Sequence, residues 1–425
     1  VKRAKTQLSP TKAVIYEMSV RDFSSQKVAG FKEPSTFRAL TESPKLGKRK
    51  IGMQHLLDLG KSPISSSCLF YDFGSVDEKH PEQVYNWGYD PVQYNVPEGS
   101  FASDPEDPYA RILELQETIA AYHEADMSLI MDVVYNHVYD ADSFAFEKIV
   151  PGYFYRLDEQ NQRTDGTFCG NDVASERAMV RRFIKHSVKQ WVNLYGFDGF
   201  RFDLMGILDI QTMNELAEEL KESYPNVYLY GEGWKMATGL ESDLLAHQYK
   251  AAELTDYGFF SDNFRDTIKE TILNKQRLTG SEWTSSMANI LTANVGLETA
   301  SHFQSPQQAI NYTECHDNAT VFDYFKIEDP NISQKERLAS ARLALHLVLL
   351  AQGVPFLHSG QEFFRHKDLL DNSYNIPDTI NRLDWQSLLN YEEDVDFIRE
   401  INQLPKRTPS TQPRKSRRNL GSLPS

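Results

Sequence analysis

The chain has 425 residues, and its hydrophobic content of 40% is enough for a large buried core. A formal net charge of −15 argues against nucleic acid or an anionic membrane surface as the main partner. The sequence also lacks the run of roughly 18 apolar residues that a membrane-spanning helix requires.

The spacing of the three cysteines matches neither a disulfide framework nor a zinc site. They are Cys68, Cys169 and Cys315. Unpaired cysteines suit a reducing compartment, so we expect a cytoplasmic protein. Because the chain begins at Val1 and reads like a fragment, secretion stays open as the alternative.

Predicted strands and helices alternate along most of the chain. After a basic and polar lead-in at 1–12, buried strands are predicted at 13–20, 129–135, 196–203, 227–234, 251–254, 309–314 and 354–358. Helices with apolar residues at helical spacing are predicted at 52–60, 106–126, 174–195, 211–223, 263–273, 334–352 and 391–403. The strand at 129–135 is almost continuously apolar, as a parallel sheet requires.

The alternation predicts an α/β fold with a parallel sheet, and eight units predict a closed (β/α)8 TIM barrel. The stretch 61–70, where the second strand should lie, predicts only a doubtful strand, because it contains a proline and three consecutive serines. A doubly wound open sheet is the alternative. Such a sheet usually carries a glycine-rich phosphate loop after its first strand, and none follows the strand at 13–20.

The domain organisation follows from one irregular segment. Residues 139–172 have no regular period and are rich in Gly, Asp, Asn and aromatic residues, which predicts a small insertion after the third strand. We therefore divide the chain into the first part of a catalytic barrel (1–138), the insertion (139–172), the rest of the barrel (173–405) and a disordered basic tail (406–425).

Polar residues suited to catalysis stand at or near the C-terminal ends of separate predicted strands. They are Asp132, Asn136, His137, Arg201, Asp203, Glu232, His316 and Asp317. In a barrel these strand ends meet on one face, where active sites lie. Such a set is costly to assemble for stability alone, because like charges repel and burial penalises each of them. The set therefore indicates catalysis.

Glycosidic bond cleavage is the chemistry that suits several carboxylates without a metal cage. Glu232 is the expected general acid, because its neighbour Trp234 and nearby carboxylates raise its pKa. Asp203 is the expected nucleophile, because Arg201 lies two residues away on the same strand face and keeps it ionised. Asp317 is expected to accept hydrogen bonds from sugar hydroxyls.

Three other residues of the set have supporting roles in this prediction. His137 and His316 are expected to donate hydrogen bonds to the sugar. Asp132 is expected to orient Arg201 or to support the barrel.

Four short motifs resemble those of the α-amylase family of glycoside hydrolases. They lie at 132–137, 199–203, 231–234 and 316–318. The aromatic loop 85–91 (Tyr-Asn-Trp-Gly-Tyr-Asp-Pro) is more specific and resembles the signature of type I pullulanases. The loop 372–378 (Asn-Ser-Tyr-Asn-Ile-Pro-Asp) is similar to the same subfamily. The resemblance covers roughly residues 12–403.

The resemblance implies a retaining hydrolase that cuts α-1,6 branch linkages in pullulan, amylopectin or glycogen-derived dextrins. It implies Asp203 as the nucleophile, Glu232 as the acid/base and Asp317 as the transition-state stabiliser, with Tyr89 stacked on the reacting glucose. The full set of expected substrate-binding residues is Tyr89, Asp90, Asn136, His137, Arg201, Trp234, His316 and Asn375. Within the enzyme class, an α-1,4-acting amylase-type hydrolase is the alternative, and a catalytically inactive glucan-binding relative is the alternative outside it.

The sequence departs from this family at three places. Family members usually carry N-terminal β-sandwich modules and a C-terminal β-domain, and we expect both to be missing here. The stretch 61–70 does not resemble a second barrel strand, and the tail at 406–425 is unlike the family. Both segments read like out-of-frame translation or like a locally degraded sequence.

No cofactor is expected to be required. Four aspartates of the insertion offer oxygen ligands for Ca²⁺, without the spacing of an EF-hand loop. They are Asp140, Asp142, Asp165 and Asp172. The expected partner is an α-glucan, with no nucleic acid and no membrane, and the oligomeric state stays open.

Overall fold

The computed structural model describes residues 13–60, 64–274, 281–293, 295 and 303–403. The strands in these ranges are β1 (Val14–Glu17), β2 (Lys45–Leu46), β3 (Arg49–Lys50), β4 (Ile64–Leu69), β5 (Tyr71–Phe73), β6 (Pro91–Pro97), β7 (Ser128–Val133), β8 (Gly199–Phe202), β9 (Tyr228–Gly231), β10 (Tyr257–Phe260), β11 (Ala309–Asn311) and β12 (Val354–His358). Eight of them close a parallel barrel in the order β1, β12, β11, β10, β9, β8, β7, β4, and β4 pairs with β1. The predicted (β/α)8 barrel is confirmed.

Helices surround this barrel and occupy the loops at its mouth. They are α1 (Val20–Ser24), α2 (Met53–Asp58), α3 (Pro108–Glu124), α4 (Ala145–Ile149), α5 (Ala178–Leu194), α6 (Ile210–Ser223), α7 (Asp262–Leu273), α8 (Ser281–Leu291), α9 (Val321–Glu328), α10 (Gln334–Leu350), α11 (Asp378–Asn381), α12 (Trp385–Asn390) and α13 (Glu392–Gln403). Among the helices of the described residues, none has the length and apolarity needed to cross a membrane.

The doubtful second strand is a strand of the barrel. β4 pairs with β1 on one side, where Ser66 lies opposite Tyr16, and with β7 on the other, where Ser66 lies opposite Leu129. Parallel pairing needs only backbone N–H and C=O groups, which serine supplies as well as valine does. The side-chain composition of 61–70 was therefore a poor guide to its backbone, although residues 61–63 lie outside the described ranges.

The strand predicted at 251–254 was wrong. Those residues follow a short 3₁₀ turn at Gln248–Lys250, and the barrel strand is β10, a few residues later. Gly258 in the middle of β10 weakens the strand pattern in the sequence. A Cβ atom there would lie 2.5 Å from the Tyr228 hydroxyl and 3.0 Å from the Ile310 side chain, so glycine permits a close approach between neighbouring strands.

The chain between β7 and α5 is irregular, as predicted for the insertion. Its regular structure is the short helix α4 and isolated antiparallel bridges such as the one between Tyr155 and Val173. Asp172 holds the end of the segment, because its carboxylate accepts hydrogen bonds from the Thr164 and Thr238 hydroxyls at 2.7 and 2.6 Å. The predicted lead-in at 1–12 and tail at 406–425 lie outside the described residues.

The barrel interior has an apolar layer below a polar one. The apolar layer is a separate buried cluster of Ile15, Ile130, Tyr230, Phe260, Ile310, Tyr312, Val354 and Phe356. Because side chains alternate along a strand, the residues two positions further on face the same interior. Those positions hold Glu17 after Ile15 and Asp132 after Ile130. The strand period therefore places polar side chains together at the C-terminal mouth of the barrel.

Trp191 of α5 joins this helix to β6 and to the segment that leads into β8. It is 1% exposed, and its indole N–H donates a hydrogen bond to the Tyr94 carbonyl oxygen at 2.9 Å. Its ring also meets Phe197 edge-on, with ring centroids 6.0 Å apart.

We expect Trp191→Ala to lower the free energy of unfolding by about 3–5 kcal/mol, because it leaves a large cavity. The Tyr94 carbonyl would also lose its buried donor. Trp191→Phe should cost less, since it refills most of the space. Urea denaturation followed by circular dichroism measures both changes.

Leu194 on the same helix is 49% exposed and provides the control. Leu194→Ala should change stability by no more than about 0.5 kcal/mol. A loss below about 1 kcal/mol for Trp191→Ala would contradict its role as a packing anchor.

Candidate active site

A single buried arginine joins three carboxylates at the barrel mouth. Arg201 of β8 is 2% exposed. Its Nη1 donates to Asp132 Oδ1 at 2.9 Å and to Asp203 Oδ1 at 3.0 Å, and its Nη2 donates to Glu232 Oε1 at 2.5 Å. The register causes this meeting, because Asp132 lies directly opposite Arg201 in the pairing of β7 with β8. Glu232 directly follows the neighbouring strand β9.

Burial gives two of these carboxyl groups unusual pKa values. Burial raises the pKa of Glu232 to about 7; Arg201 opposes this shift, and the charges of Asp203 and Asp317 add to it. Burial likewise raises the pKa of Asp132 to about 6, again against the effect of Arg201. Glu232 is also oriented by the Leu204 backbone N–H, which donates to its Oε2 at 2.9 Å. Near neutral pH this group can therefore give or take a proton.

Asp203 is held from its second side by Asn136. The Asn136 side-chain amide donates to Asp203 Oδ2 at 3.0 Å and to the Asp203 carbonyl oxygen at 2.7 Å. His137 continues this contact, since its Nδ1 lies 2.5 Å from Asn136 Oδ1 and its Nε2 lies 2.8 Å from the Tyr89 carbonyl oxygen. Burial lowers the pKa of His137. The residues that follow β7 therefore connect Asp203 to the aromatic loop 85–91.

His316 is held by a carboxylate and by two aromatic rings. Its backbone N–H donates to Glu17 Oε2 at 2.7 Å, and its Nδ1 lies 2.6 Å from Glu17 Oε1. The Tyr89 ring stacks on the imidazole, with centroids 4.7 Å apart and planes 12° apart, and Trp87 meets it edge-on at 4.9 Å. The Tyr89 hydroxyl donates to Asp132 Oδ2 at 2.6 Å. His316 is thereby linked to the carboxylates around Arg201.

The pKa values of His316 and Glu17 move apart in this pair. Burial disfavours the charged imidazole, but the Glu17 carboxylate outweighs burial and the pKa of His316 is raised. Burial also disfavours the Glu17 carboxylate, and His316 in turn holds the pKa of Glu17 below its ordinary value. Both shifts favour the charged forms of the two side chains.

The two loops that resemble type I pullulanases meet above His316. The Trp87 backbone N–H donates to the Tyr374 carbonyl oxygen at 2.9 Å, and the two rings lie 6.3 Å apart. Lys367 closes the group, with its ammonium 5.1 Å from the Trp87 ring centroid and 2.5 Å from the His316 carbonyl oxygen. The loops 85–91 and 372–378 therefore form one rim of the site.

The other predicted residues differ in their surroundings. Asp317 is exposed beside His316, and its charge acts on Glu232. Trp234 is half-buried against the barrel's apolar layer, and burial raises the pKa of Asp90 to about 6. Asn375 is exposed on the rim loop 372–378.

Two residues at the site were absent from the sequence prediction. Glu17 lay inside the predicted strand 13–20, and the available signal was a carboxylate within a largely apolar segment. Lys367 carried no signal, because its partners Trp87 and His316 are distant in sequence. Each is defined by tertiary contacts, which spacing along the chain does not report.

The comparison with protein families covers the C-terminal part of this site. The α-amylase catalytic-domain family matches residues 165–412, more than half of the chain. That range includes Arg201, Asp203, Glu232 and Asp317. The chain belongs to the α-amylase family.

Within the α-amylase family, the relatives found include pullulanases. The chain is 40% identical to the pullulanase of Bacillus subtilis over 408 residues, which covers 94% of this chain and 57% of that protein. It is 31% identical to the chloroplastic pullulanase 1 of Arabidopsis thaliana over 465 residues, covering 87% of this chain and 47% of that protein. The chain thus spans about half the length of these curated relatives.

Solved pullulanase structures have the same fold. The pullulanase of Paenibacillus barengoltzii in complex with maltohexaose and α-cyclodextrin matches with a TM-score of 0.89 and 41% identity, over 94% of this chain and 64% of that one. The type I pullulanase of Bacillus subtilis complexed with maltose matches with a TM-score of 0.90 and 40% identity, over 95% of this chain and 57% of that one. The resemblance to type I pullulanases is confirmed.

Members of the α-amylase family need no cofactor for catalysis. The four aspartates considered for Ca²⁺ do not form a cation-sized cluster in the described part of the chain, where the group found is Asp72, Glu78 and Glu98. Two of the four aspartates have other partners. Asp172 accepts hydrogen bonds from two threonine hydroxyls, and Asp142 pairs with Arg163 at 2.7 Å.

We expect Arg201→Met to destabilise the protein by about 3–5 kcal/mol at pH 8, because it leaves buried carboxylates without their cation. Without Arg201 the pKa values of Asp132 and Glu232 rise further above their unfolded values. When folding raises the pKa of a carboxyl group, the free energy of unfolding falls as the pH rises from the unfolded pKa through the folded one. The deficit should therefore be smaller at pH 5, and urea denaturation at both pH values measures it.

Arg342→Met provides the control, because the Arg342 side chain is 41% exposed and pairs with Asp394 near the surface. Solvent screens this pair, so its loss should cost no more than about 1 kcal/mol. An Arg201→Met deficit that is equal at pH 5 and pH 8 would contradict the electrostatic role of Arg201.

Proposed function

We propose that the chain is the catalytic barrel of a retaining glycoside hydrolase that cleaves α-1,6 branch linkages in α-glucans such as pullulan, amylopectin and glycogen dextrins. The observation that carries the proposal is the buried Arg201 bound to both Asp203 and Glu232. Retaining glycosidases need two carboxyl groups close together, one of them able to carry a proton near neutral pH. Similarity to pullulanases, some solved with maltooligosaccharides, supports the choice of linkage and substrate.

In the first step, Glu232 gives its proton to the glycosidic oxygen as the bond from that oxygen to the anomeric carbon breaks. Asp203 Oδ attacks the same carbon and forms a covalent glycosyl-enzyme. In the second step, the Glu232 carboxylate takes a proton from water, the water oxygen attacks the anomeric carbon, and the bond to Asp203 breaks. Both carboxyl groups return to their starting states.

Orientation supports Asp203 as the nucleophile. Its two carboxylate oxygens accept hydrogen bonds from different elements, Oδ1 from Arg201 and Oδ2 from Asn136. A carboxylate fixed on both sides loses little further freedom when it attacks. Asp132 supports Arg201 from the neighbouring strand in this scheme.

The remaining residues of the site bind the glucan in this scheme. Asp317 stabilises the transition state through its position beside His316. The substrate-binding residues are Tyr89, Asp90, Asn136, His137, Arg201, Trp234, His316 and Asn375.

We expect the protein to release maltotriose from pullulan, and Asp203→Asn to lower this rate at least about 10³-fold, because it removes the nucleophile. Binding of maltooligosaccharides, measured by calorimetry, should persist in this variant. Reducing-sugar release and product chromatography measure the turnover.

Asp209→Asn is the matched control. Asp209 caps α6, where its side chain accepts from the Thr212 backbone N–H, and asparagine caps helices about as well as aspartate. This variant should keep the wild-type rate. Hydrolysis of linear amylose with intact pullulan would contradict the α-1,6 assignment, and glucan binding without turnover would contradict the enzymatic one.

We also expect kcat/KM for pullulan to fall about tenfold per pH unit above about pH 7, because Glu232 then loses the proton that the leaving oxygen needs. Maltotriosyl fluoride should show a weaker decline, since fluoride leaves without being protonated. Initial rates between pH 5 and pH 9 measure both profiles. A pullulan profile that stays flat from pH 7 to pH 9 would contradict Glu232 as the acid.

A further inference from the structure

We infer that Glu17, the last residue of the first barrel strand, is the positioning residue that orients His316 toward the substrate. This inference rests on the proposed function for its effect on turnover, and on the contacts of the pair for everything else. Glu17 has no other assigned part in the reaction.

Glu17 lies in the polar layer of the barrel mouth. It is 6% exposed, and it follows Ile15 of the apolar interior by two positions, so both side chains face inward. Placing a carboxylate there costs desolvation energy unless it is paired and hydrogen-bonded. The hydrogen bonds that compensate this cost come from His316, which lies 299 positions later in the chain, and the charge of Arg201 adds to them.

The carboxylate holds His316 at two separate atoms. Glu17 Oε2 accepts the His316 backbone N–H at 2.7 Å, and Glu17 Oε1 lies 2.6 Å from Nδ1. One contact fixes the loop and the other fixes the ring. A purely structural tie between β1 and this loop would need only the backbone contact.

The aromatic neighbours complete the orientation of the ring. Tyr89 stacks on one face of the imidazole at 4.7 Å, and Trp87 meets it edge-on at 4.9 Å. Because Nδ1 is occupied by Glu17, Nε2 is the nitrogen left to donate to a sugar hydroxyl. The next residue in the chain is Asp317, so the same contact also places the start of the segment that carries this carboxylate.

The charges around His316 favour a cationic donor. Glu17 on β1 and the adjacent Asp317 raise the pKa of His316, while burial and Arg201 of β8 lower it. Asp132 of β7 reaches the ring through the Tyr89 hydroxyl, and Lys367 contacts only the carbonyl oxygen of His316. The sum favours imidazolium, whose hydrogen bonds are stronger than those of a neutral ring.

The test compares Glu17→Gln with a variant of another buried glutamate. Glu362 accepts the Tyr16 hydroxyl at 2.9 Å and lies 2.7 Å from His55 Nε2, so Glu362→Gln removes a carboxylate–histidine pair of the same kind. Histidine labelled with ¹⁵N is titrated by NMR in the wild type and both variants, and His316→Gln identifies the signal among the eleven histidines.

We expect Glu17→Gln to lower the pKa of His316, and Glu362→Gln to leave it at the wild-type value. We also expect Glu17→Gln to lower kcat/KM for pullulan about tenfold, mainly by raising KM, because a charge-assisted hydrogen bond to the substrate is weakened. Glu17→Asp keeps the charge but is one methylene shorter. In Glu17→Asp the pKa of His316 should stay raised, and KM should lie between the values of the wild type and Glu17→Gln.

An unchanged His316 titration in Glu17→Gln would overturn the inference. Equal losses of kcat/KM in Glu17→Gln and Glu362→Gln would also overturn it, because they would reveal a general effect on folding. If the wild type leaves pullulan intact, the proposed function fails, and the NMR titration alone then decides whether Glu17 controls His316.

Discussion

The buried guanidinium of Arg201 is the interaction on which the site depends. Three carboxyl groups lie within hydrogen-bond distance of it, in a place where burial alone penalises each negative charge. The positive charge of Arg201 offsets part of the cost of burying these three carboxyl groups together. Burial raises the pKa of Glu232 to about 7 against the opposing charge of Arg201, and the charges of Asp203 and Asp317 add to the rise. A proton can therefore be exchanged at one carboxyl group while the others hold the geometry.

This arrangement is a consequence of the barrel's two-residue period. The side chains that precede the polar layer by two positions form the apolar interior, and Phe260 of that interior lies 5.7 Å below the Arg201 guanidinium. The polar groups are thus held above a rigid aromatic floor. The strand register determines which of these groups meet. β7, β8 and β9 are neighbours, and their C-terminal ends bring Asp132, Arg201 and Glu232 together. This cluster requires adjacent strands and not merely a mouth lined with polar residues.

Sequence patterns predicted the parts of this fold that depend on local properties. The apolar strand at 129–135 and the polar residues that follow each strand were recoverable, because parallel strands and strand ends leave direct signals. β4 was predicted only as a doubtful strand, because its pairing uses backbone groups and the side-chain pattern does not report them. β10 was displaced, because Gly258 serves a contact with Tyr228 that belongs to another strand. Two of the aspartates considered for Ca²⁺ have tertiary partners that spacing does not report, since Asp142 pairs with Arg163 and Asp172 accepts hydrogen bonds from threonine hydroxyls.

The contact between Glu17 and His316 connects the site to closure of the barrel. β1 is the strand that joins β12 to β4, so the position of Glu17 depends on pairing with both. β4 is the strand whose sequence fits its place least well, yet it supplies one side of that pairing. Glu17 in turn holds His316, and the Tyr89 ring stacks on the imidazole. The Tyr89 hydroxyl donates to Asp132, which also accepts from Arg201. A change in the pairing of β4 with β1 would therefore act on Glu17 and, through His316 and Tyr89, on Asp132. The strand with the poorest side-chain pattern is thus connected to the carboxylates around Arg201.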